Sequence, residues 1–485
     1  MYDVIIIGAG IVGCAIARNL SQYNVKVAIL EASNDIAMGA TKANSAIVHG
    51  GYAESHDKIK GRLCFKGRQQ FRKLNEELNF GFSMTGSLVL TFSDSDLPKL
   101  EALKTNGIKN GLTDLEIWNH EQILVKEPNI NREVRYALYC DGAGITSPYE
   151  MAIALMENAI HNGVKLYLNT PCTNIQKERN IFHVKSANHV FNSSVVINAS
   201  GLSSQLISNM VGIDNFTITP RSGQYLLFAR GTGKLVHHVL FQMPSKMGKG
   251  ILVTPTYHGN LLLGPDAIDE SGINKATDVN RLIHIYQQAK QTTPHIDPTQ
   301  FIRSFAGVRA VSSTDDFILG ESTVSGFIQC AGIQSPGLTS SPAIADYIVG
   351  LIDEKYIKLN RKTNFDPYRK PIIEKKELRS MKEIAPLVAL DRGDNRIVCR
   401  CEQVDEKTIR DAMTREIPVT TIDGIKRRTR AGMGFCQGTF CRPRVKALME
   451  EILGHEINDE FDVEHSGINR VGKSEFLDFL SKETK

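Results

Sequence analysis

Four cysteines near the end of the chain have a spacing suited to holding a metal centre. One residue separates Cys399 from Cys401, four separate Cys436 from Cys441, and the 34 residues 402–435 lie between the two pairs. Two pairs of thiolates can supply four ligands, and sites with four sulfur ligands hold zinc or an iron–sulfur centre. The two cysteines of a zinc-binding pair typically have two to four residues between them. Only one residue lies between Cys399 and Cys401, which favours an iron–sulfur centre over zinc or free thiols.

A second chemical pattern stands at the other end of the chain. A β-branched run at residues 2–7 leads into Gly8-Ala-Gly10-Ile-Val-Gly13, then a predicted helix, then a predicted strand that ends at Glu31. Gly8 allows a tight turn, Gly10 allows close approach to a pyrophosphate, and Gly13 lets the helix pack on the strand. The helix N-terminus offers N–H groups to phosphates, and Glu31 can accept hydrogen bonds from ribose hydroxyls. The pattern favours a dinucleotide site over a turn without a ligand.

Two further glycine turns favour FAD over NAD. Asn198-Ala-Ser-Gly201 and Ala331-Gly-Ile-Gln-Ser-Pro-Gly337 each follow a short buried run, and the small polar segment 39–51 suits a chain running beside a large ring. A nicotinamide site needs one such turn, whereas three suit a long cofactor buried from end to end. The residues predicted to bind FAD are Gly8, Gly10, Ile11, Val12, Gly13, Glu31, Ala32, Thr41, Lys42, Asn44, Ser45, His49, Cys172, Ala199, Ser200, Gly201, Gly332, Gln334, Ser335, Gly337, Leu338 and Thr339.

Length and composition limit what can position these motifs. The 485 residues exceed one ordinary core, so two or three domains are expected. With 42% hydrophobic and 23% charged residues the chain has the composition of a globular protein, and a net charge of +4 gives no argument for nucleic acid or a membrane surface. No apolar run reaches ~18 residues, and no cationic segment precedes Val4–Ile7, so we expect a cytoplasmic protein with no transmembrane helix. The five other cysteines are expected to be reduced.

The predicted helices and strands show where the motifs lie in the fold. Helices are predicted at 55–80, 95–107, 149–162 and 338–352, and buried strands precede the glycine turns. Between 221 and 300 the runs 224–228, 250–255 and 260–264 read as antiparallel strands that cover a site. The charged stretch 360–395 reads as a linker.

The N-terminal fingerprint, Thr41-Lys-Ala-Asn-Ser45 and Ala306-Gly-Val-Arg309 resemble the FAD-dependent oxidoreductases of the D-amino-acid-oxidase superfamily. The resemblance implies an α/β fold: a Rossmann-like FAD-binding domain with an antiparallel-sheet substrate domain. Two branches compete, the anaerobic type of FAD-dependent glycerol-3-phosphate dehydrogenase and L-2-hydroxyglutarate dehydrogenase. The implied FAD-binding segments are about 1–85, 148–220 and 301–365, and the substrate domain about 86–147 and 221–300.

The cysteine segment has its own resemblance. Cys399-Arg-Cys401-Glu, Arg428-Thr-Arg-Ala-Gly-Met-Gly434 and Cys436-Gln-Gly438 are similar to the bacterioferritin-associated-ferredoxin-like [2Fe–2S] module. This implies a small helical domain at 396–455 with Cys399, Cys401, Cys436 and Cys441 as ligands, after a linker at 366–395. Residues 456–485 form a tail of no assigned role.

The resemblance also implies which side chains act on a substrate. His49 is the first candidate for the base, the alternative being a histidine that only packs on or hydrogen-bonds the flavin. Arg309 matches the arginine that holds the substrate's anionic group, the alternative being a structural ion pair. Arg221 and Tyr225 are further substrate-binding candidates, and His258 is a weaker one. The Arg-Tyr pair that commonly follows this histidine segment in glycerol-3-phosphate dehydrogenases is replaced here by Tyr52-Ala53.

Together these features predict an enzyme that oxidises a small anionic alcohol. Electrons would pass from FAD through the cluster to an acceptor flavoprotein or a quinone-linked subunit, which could bring the protein to a membrane. The preferred substrate is sn-glycerol 3-phosphate, with a 2-hydroxy acid or an amine as alternatives, and an electron-transfer subunit without its own substrate is the alternative of another class. Lys42 and the basic run Lys426-Arg-Arg-Thr-Arg430 are expected to have solvated side chains, although the run could instead offset the cluster's charge or dock an acidic acceptor.

Overall fold

The first sheet is built around the N-terminal strand Tyr2–Ile7, whose β-branched side chains are buried on both faces. A computed structural model describes residues 1–187, 189–243, 250–374, 377–457 and 468–483. The sheet has the spatial order Asn174–Glu178, Ile181–Ser186, His189–Asn198, Tyr2–Ile7, Val27–Leu30, Lys165–Tyr167, and Phe327–Ala331 pairs with His189–Asn198 and with Ile318–Glu321. The pairs around Tyr2–Ile7 are parallel, which brings their carboxyl ends to one edge.

Helices cover the faces of this sheet, as parallel sheets require. Ile11–Leu20 packs on Pro148–His161 and Gly337–Lys355 around one core. Ile59–Arg68, Phe71–Leu78 and Ser204–Asn209 complete this region. The single helix predicted at 55–80 is therefore two helices, and the break follows Gly67, a weak helix former whose backbone packs against Thr339.

A second sheet, mostly antiparallel, forms the wall opposite the glycine turns. Its spatial order is Ile268–Asp269, Ile218–Phe228, Leu261–Leu263, Val253–Pro255, Val239–Gln242, Ser87–Thr91, Tyr136–Cys140, Leu115–Asn119, and Phe301–Ser312 pairs along Ile218–Phe228. The helices Leu97–Lys109, His120–Lys126 and Val279–Thr292 pack on it. A small sheet of Ile47–Val48, Gly144–Thr146 and Phe82–Met84 joins the two larger sheets. The predicted α/β architecture with an antiparallel substrate-side sheet is confirmed.

The cysteine segment folds around a core of its own. The strands Ile397–Cys399 and Val404–Asp405 precede the helices Glu406–Met413, Ile422–Thr429 and Arg442–Leu453, whose apolar faces meet. The segment expected to be a linker contains the helix Met381–Val388, which begins with a capping box between Ser380 and Glu383.

The tail returns to the second sheet. The terminal helix Lys473–Glu483 packs on Val279–Thr292, with Phe476 buried against Tyr286 and Phe301. Residues 458–467 lie outside the described residues. Across the described ranges, no helix combines the length and hydropathy that crossing a membrane requires.

Candidate functional site

The three glycine turns meet at one cavity of about 1330 Å³, which lies between the first sheet's carboxyl edge and the second sheet. The cavity exceeds the roughly 300–1,000 Å³ of ordinary small-molecule pockets, so it has room for a long cofactor and a small substrate together. It lies at the carboxyl ends of parallel strands, where open α/β sheets bind their ligands.

The packing at the first turn requires glycine. Gly8 has a φ of +102°, and a Cβ there would lie 2.6 Å from the Ala199 carbonyl oxygen. A Cβ on Gly13 would lie 2.0 Å from the Gly8 carbonyl oxygen, so the helix can approach the strand only without a side chain. By contrast a Cβ on Gly201 would meet no atom within 4 Å, which leaves open space for a ligand above that turn.

The groups that would face a dinucleotide are fixed by the backbone around them. The Glu31 carboxylate accepts hydrogen bonds from the backbone N–H of Ala9 at 2.8 Å and of Ser33 at 2.9 Å, and it lines the cavity. Thr41 Oγ1 accepts from the N–H of Ile11 at 3.0 Å, which joins the segment after the second strand to the helix N-terminus. These residues and the three glycine turns fit FAD.

Most residues predicted to bind FAD line this cavity: Gly8, Gly10, Ile11, Val12, Glu31, Ala32, Thr41, Asn44, Ser45, His49, Cys172, Ala199, Ser200, Gly201, Gln334, Ser335, Gly337 and Leu338. Gly13, Lys42, Gly332 and Thr339 are not among the residues that line the cavity. A Cβ on Gly332 would lie 2.4 Å from the Ser312 Cβ, so Gly332 serves the packing of its turn.

The side chain of Lys42 was expected to be solvated, and that expectation is wrong. It is half-buried, its Nζ contacts Met38 Sδ at 3.6 Å, and Arg427 of the cysteine domain is close. Burial, followed by the positive charge of Arg427, lowers the pKa of Lys42 to about 7.

His49 is held at the cavity wall from two sides. Its backbone N–H donates to Thr339 Oγ1 at 2.9 Å, and its Nε2 lies 3.3 Å from Ser335 Oγ. The imidazole also lies 5.9 Å, centroid to centroid, from the Phe241 ring. A ring anchored in this way can present one nitrogen to a substrate hydroxyl.

Arg309 and Arg221 are directly opposite each other on the antiparallel pair Ile218–Phe228 and Phe301–Ser312, and both line the cavity. Arg221 binds Asp269 through two hydrogen bonds, Nε to Oδ1 at 2.5 Å and Nη2 to Oδ2 at 3.0 Å. Within the described part of the chain, the Arg309 guanidinium has no ion pair or hydrogen bond of this kind. Of these two arginines, Arg309 is therefore the one available to an anionic ligand, because the charge of Arg221 is already compensated.

Of the two remaining candidates for substrate binding, Tyr225 lines the cavity and His258 does not. Tyr225 lines the cavity, its hydroxyl lies 3.4 Å from Ser45 Oγ, and its ring stacks on Phe305 at 4.7 Å. His258 lies apart from the cavity, where its Nε2 is 2.6 Å from Glu150 Oε1. Burial, followed by the charge of Arg430, lowers the pKa of His258.

Sequence reasoning missed a polar face on the helix Val279–Thr292. Asn280, His284 and Gln288 recur every fourth residue and all line the cavity, together with Lys275 just before the helix. Side chains four residues apart share one helix face, so this spacing was a readable signal. A helix with an apolar face of Leu282, Ile285 and Ala289 places the opposite stripe at the cavity mouth.

The four cysteines lie together as two pairs. Cys401 Sγ and Cys436 Sγ are 3.6 Å apart, and the thiol of Cys441 hydrogen-bonds Cys399. That hydrogen bond, with others from the backbone N–H groups of Gly432 and Glu402, lowers the pKa of Cys399 to about 6 despite its burial. Together the two pairs bring the four thiols that a [2Fe–2S] cluster requires to one place.

The basic run beside the cysteines is not a solvated helix face, so that interpretation was wrong. Arg427 and Arg428 are buried and both bind Asp35 of the first domain, with Arg428 Nη1 and Nη2 at 2.7 and 2.8 Å from its two oxygens. Burial alone would raise the pKa of Asp35, but Arg428 and Arg427 hold it at about 2. The run fastens the cysteine domain to the FAD-binding domain.

Arg430 adds a second link between the domains. Its Nε donates to Glu402 Oε2 at 2.9 Å and its Nη2 to Asn260 Oδ1 at 3.3 Å, while Arg230 reaches the same Glu402 oxygen. Glu402 follows Cys401 directly, so this network fixes the cysteine loop against the second sheet. Sequence alone could not pair these residues, because they are far apart along the chain.

Replacing Asp35 with Asn tests the first link. Asn would leave the buried Arg428 without a counter-charge and Arg427 with Asp423 alone, so we expect the stability of the domain contact to fall by about 3–5 kcal/mol at pH 7. Since the folded-state pKa of Asp35 is depressed to about 2, its contribution is present above pH ~4 and is lost as pH falls toward 2. Hydrogen exchange along Ile422–Thr429, in wild type and D35N from pH 7 to 3, measures this difference. Asp269→Asn, at the exposed pair with Arg221, is the control and should change stability by less than about 1 kcal/mol.

Comparison with known proteins identifies the class. The family model of FAD dependent oxidoreductases matches residues 3–351, and that of the BFD-like [2Fe-2S] binding domain matches residues 397–451. The chain therefore belongs to the FAD-dependent oxidoreductase family and carries a [2Fe–2S]-binding domain. FAD and a [2Fe–2S] cluster are its cofactors, as predicted.

Individual proteins that are similar to this chain include dehydrogenases and oxidases of glycerol 3-phosphate. A glycerol 3-phosphate dehydrogenase of Caloramator mitchellensis is 43% identical over 96% of this chain and 97% of its own length. A glycerol 3-phosphate oxidase of Mycoplasma genitalium is 31% identical over 75% of this chain and 97% of its own length. The solved structure of dithionite-reduced L-alpha-glycerophosphate oxidase from Mycoplasma pneumoniae with FAD bound superposes with a TM-score of 0.72, at 29% identity, over 76% of this chain and 98% of that chain.

Proposed function

We propose that this protein is an FAD-dependent dehydrogenase that oxidises sn-glycerol 3-phosphate to dihydroxyacetone phosphate. The observation that carries the proposal is Arg309, a guanidinium with no partner among the described residues, on the wall of the same cavity as His49 and the three glycine turns. A half-buried cation without a counter-ion on a cavity wall can bind an anionic ligand. Relatives with names of this activity align over most of the chain.

The reaction assigns one task to each side chain. FAD held by the three glycine turns and Glu31 would supply the acceptor for the hydride from carbon 2 of the substrate. Arg309 holds the phosphate through charge-assisted hydrogen bonds, and Tyr225 closes the wall beside it. His49, with Nε2 near Ser335, takes the proton from the carbon 2 hydroxyl as the carbonyl forms. A substrate held at both ends presents its C–H bond in a single orientation.

A 2-hydroxy acid is the second candidate substrate, because the segment after His49 provides no second cation. Tyr52 is buried there and its hydroxyl lies 3.1 Å from Ser87 Oγ, so it turns away from the cavity. An anaerobic titration of the purified protein separates the two substrates. We expect glycerol 3-phosphate to bleach the flavin absorbance, whereas bleaching by L-2-hydroxyglutarate alone would overturn the proposal.

For the cysteine domain we propose an electron-relay role. Electrons from the substrate would leave one at a time by way of the four cysteines, to an acceptor flavoprotein or a quinone-linked subunit. We also propose the domain boundaries predicted from the sequence, about 1–365 for the oxidoreductase and 396–455 for the cluster domain. A cytoplasmic protein that reaches a membrane through such a partner is consistent with these assignments.

Replacing His49 with Gln tests the proton acceptor. Gln can keep a hydrogen bond to Ser335 but cannot take a proton, so we expect flavin reduction by glycerol 3-phosphate to slow by about 10²–10⁴-fold. Stopped-flow absorbance under anaerobic conditions measures the rate. An H49Q variant with a normal flavin spectrum and an unchanged rate would leave His49 with only a packing role. Replacing His258 with Gln, outside the cavity, is the matched control.

A further inference from the structure

The loop that carries Cys436 and Cys441 has two faces with different surroundings. On the inner face, Gln437 Oε1 accepts a hydrogen bond from Arg303 Nη1 at 3.2 Å, and its Nε2 donates to the carbonyls of Met433 and Gly434. Arg303 lies on the strand Phe301–Ser312, which also carries Arg309 at the cavity wall. The inner face of the loop is therefore joined to the strand that borders the substrate.

The outer face presents two aromatic side chains to solvent. Phe435 is 59% exposed and Phe440 is 70% exposed, and each is directly next to a cysteine of the set in sequence. Large exposed aromatic side chains mark interaction sites, and aromatic residues are frequent energetic centres of protein interfaces. Burying Phe440 against a partner would bring that partner to the thiols of Cys436 and Cys441.

The positive charge around these two rings favours an acidic partner protein. The segment 435–444 contains the partly exposed Arg444 and no carboxylate, and Arg400 between the other two cysteines is exposed. Lys473 of the terminal helix places its Nζ 4.8 Å from the centroid of the Phe435 ring. A surface with an apolar centre and a cationic rim attracts a protein whose redox centre is surrounded by acidic residues.

We propose that Phe435, Phe440 and the cations around them form the docking surface for an acidic one-electron acceptor protein. This inference rests on the proposed electron-relay role of the cysteine domain. Each glycerol 3-phosphate oxidised would yield two electrons and two protons. The electrons would reduce two acceptor molecules in turn at this surface, and the protons would go to solvent.

Binding to two haem proteins of opposite charge tests the surface without turnover. Oxidised full-length protein is titrated with cytochrome b5, which is acidic, and with cytochrome c, which is basic. We expect cytochrome b5 to bind, its Kd to rise steeply with added salt, and the Phe440→Ala variant to raise that Kd by about 30-fold. Arg444→Glu should weaken binding in the same direction. Tyr368→Ala, at an equally exposed ring elsewhere, is the matched control and should leave the Kd unchanged.

The visible spectrum of the cluster in each variant shows whether the four cysteines still bind it. If the F440A variant loses the cluster, the Arg444→Glu variant still tests the docking surface. Equal binding by wild type and both variants, or preference for cytochrome c, would overturn the proposal, as would self-association of the chain that F440A abolishes. Flavin bleaching by glycerol 3-phosphate is measured on the same samples. Bleaching without F440A-sensitive binding contradicts the docking surface alone, whereas no bleaching contradicts the proposed substrate.

Discussion

Replacing Arg309 with Ala should lower kcat/KM for glycerol 3-phosphate by about 10²–10³-fold. Truncating one partner of a buried, hydrogen-bonded charge pair costs about 2–5 kcal/mol, and each 1.4 kcal/mol is a factor of ten. Arg309 has no partner among the described residues to lose, so the free protein should remain as stable as wild type. Stopped-flow flavin reduction at increasing substrate concentration separates the effect on binding from the effect on hydride transfer.

Arg221→Ala is the matched control for this variant. Arg221 faces Arg309 across the same strand pair, but Asp269 already binds its guanidinium, so we expect its loss to change kcat/KM less than about threefold. The assignment of Arg309 would be contradicted if the two variants lost activity equally, or if R221A lost more. Rescue of R309A by added guanidinium ions would support a role in holding the anion.

Replacing Cys399 with Ser should stop electron delivery to an acceptor protein while sparing flavin reduction. A serine hydroxyl is a poor ligand for iron in place of a thiolate, so the cluster should be lost or destabilised. The glycine turns and the cavity are built from other segments, so reduction of the flavin by glycerol 3-phosphate should keep at least half its wild-type rate. Acceptor turnover should fall at least 100-fold, as measured by anaerobic steady-state reduction of a haem protein.

Cys140→Ser makes the same chemical change outside the four-cysteine set and serves as the control. Its thiol is buried beside Arg68 and Asp114, and the hydroxyl can keep the contact with Arg68. Unchanged acceptor turnover in C399S would show that electrons leave the flavin directly, and the relay role would then be wrong.

Local sequence patterns were enough to predict the FAD side of the site. Gly8 and Gly13 occur at the turn of a strand–turn–helix order that is visible in the sequence, and the Gly13 contact with the Gly8 carbonyl is local. The carboxyl ends of Tyr2–Ile7, His189–Asn198 and Phe327–Ala331 meet because parallel pairing aligns them, so three separate turns became one wall. The polar stripe of Val279–Thr292 was equally readable, but the helix itself was not predicted.

Contacts between distant segments could not be predicted in the same way. Asp35 and Arg428 are separated by nearly 400 residues, and neither has a local pattern that distinguishes a buried ion pair from a solvated charge. Lys42 lies near the same contact, because the charge of Arg427 contributes to the lowered pKa of Lys42. The sequence shows that charges are present, whereas the packing of the domains decides which of them lose water.

Oxidation of glycerol 3-phosphate by this protein is tested most directly by following both cofactors in one anaerobic sample. Purified protein is mixed with glycerol 3-phosphate, flavin absorbance is recorded during the reaction, and the frozen product is examined by electron paramagnetic resonance. We expect rapid flavin bleaching together with the signal of a reduced [2Fe–2S] cluster, both slowed in R309A. An unreduced flavin in the presence of saturating glycerol 3-phosphate would contradict the proposed function.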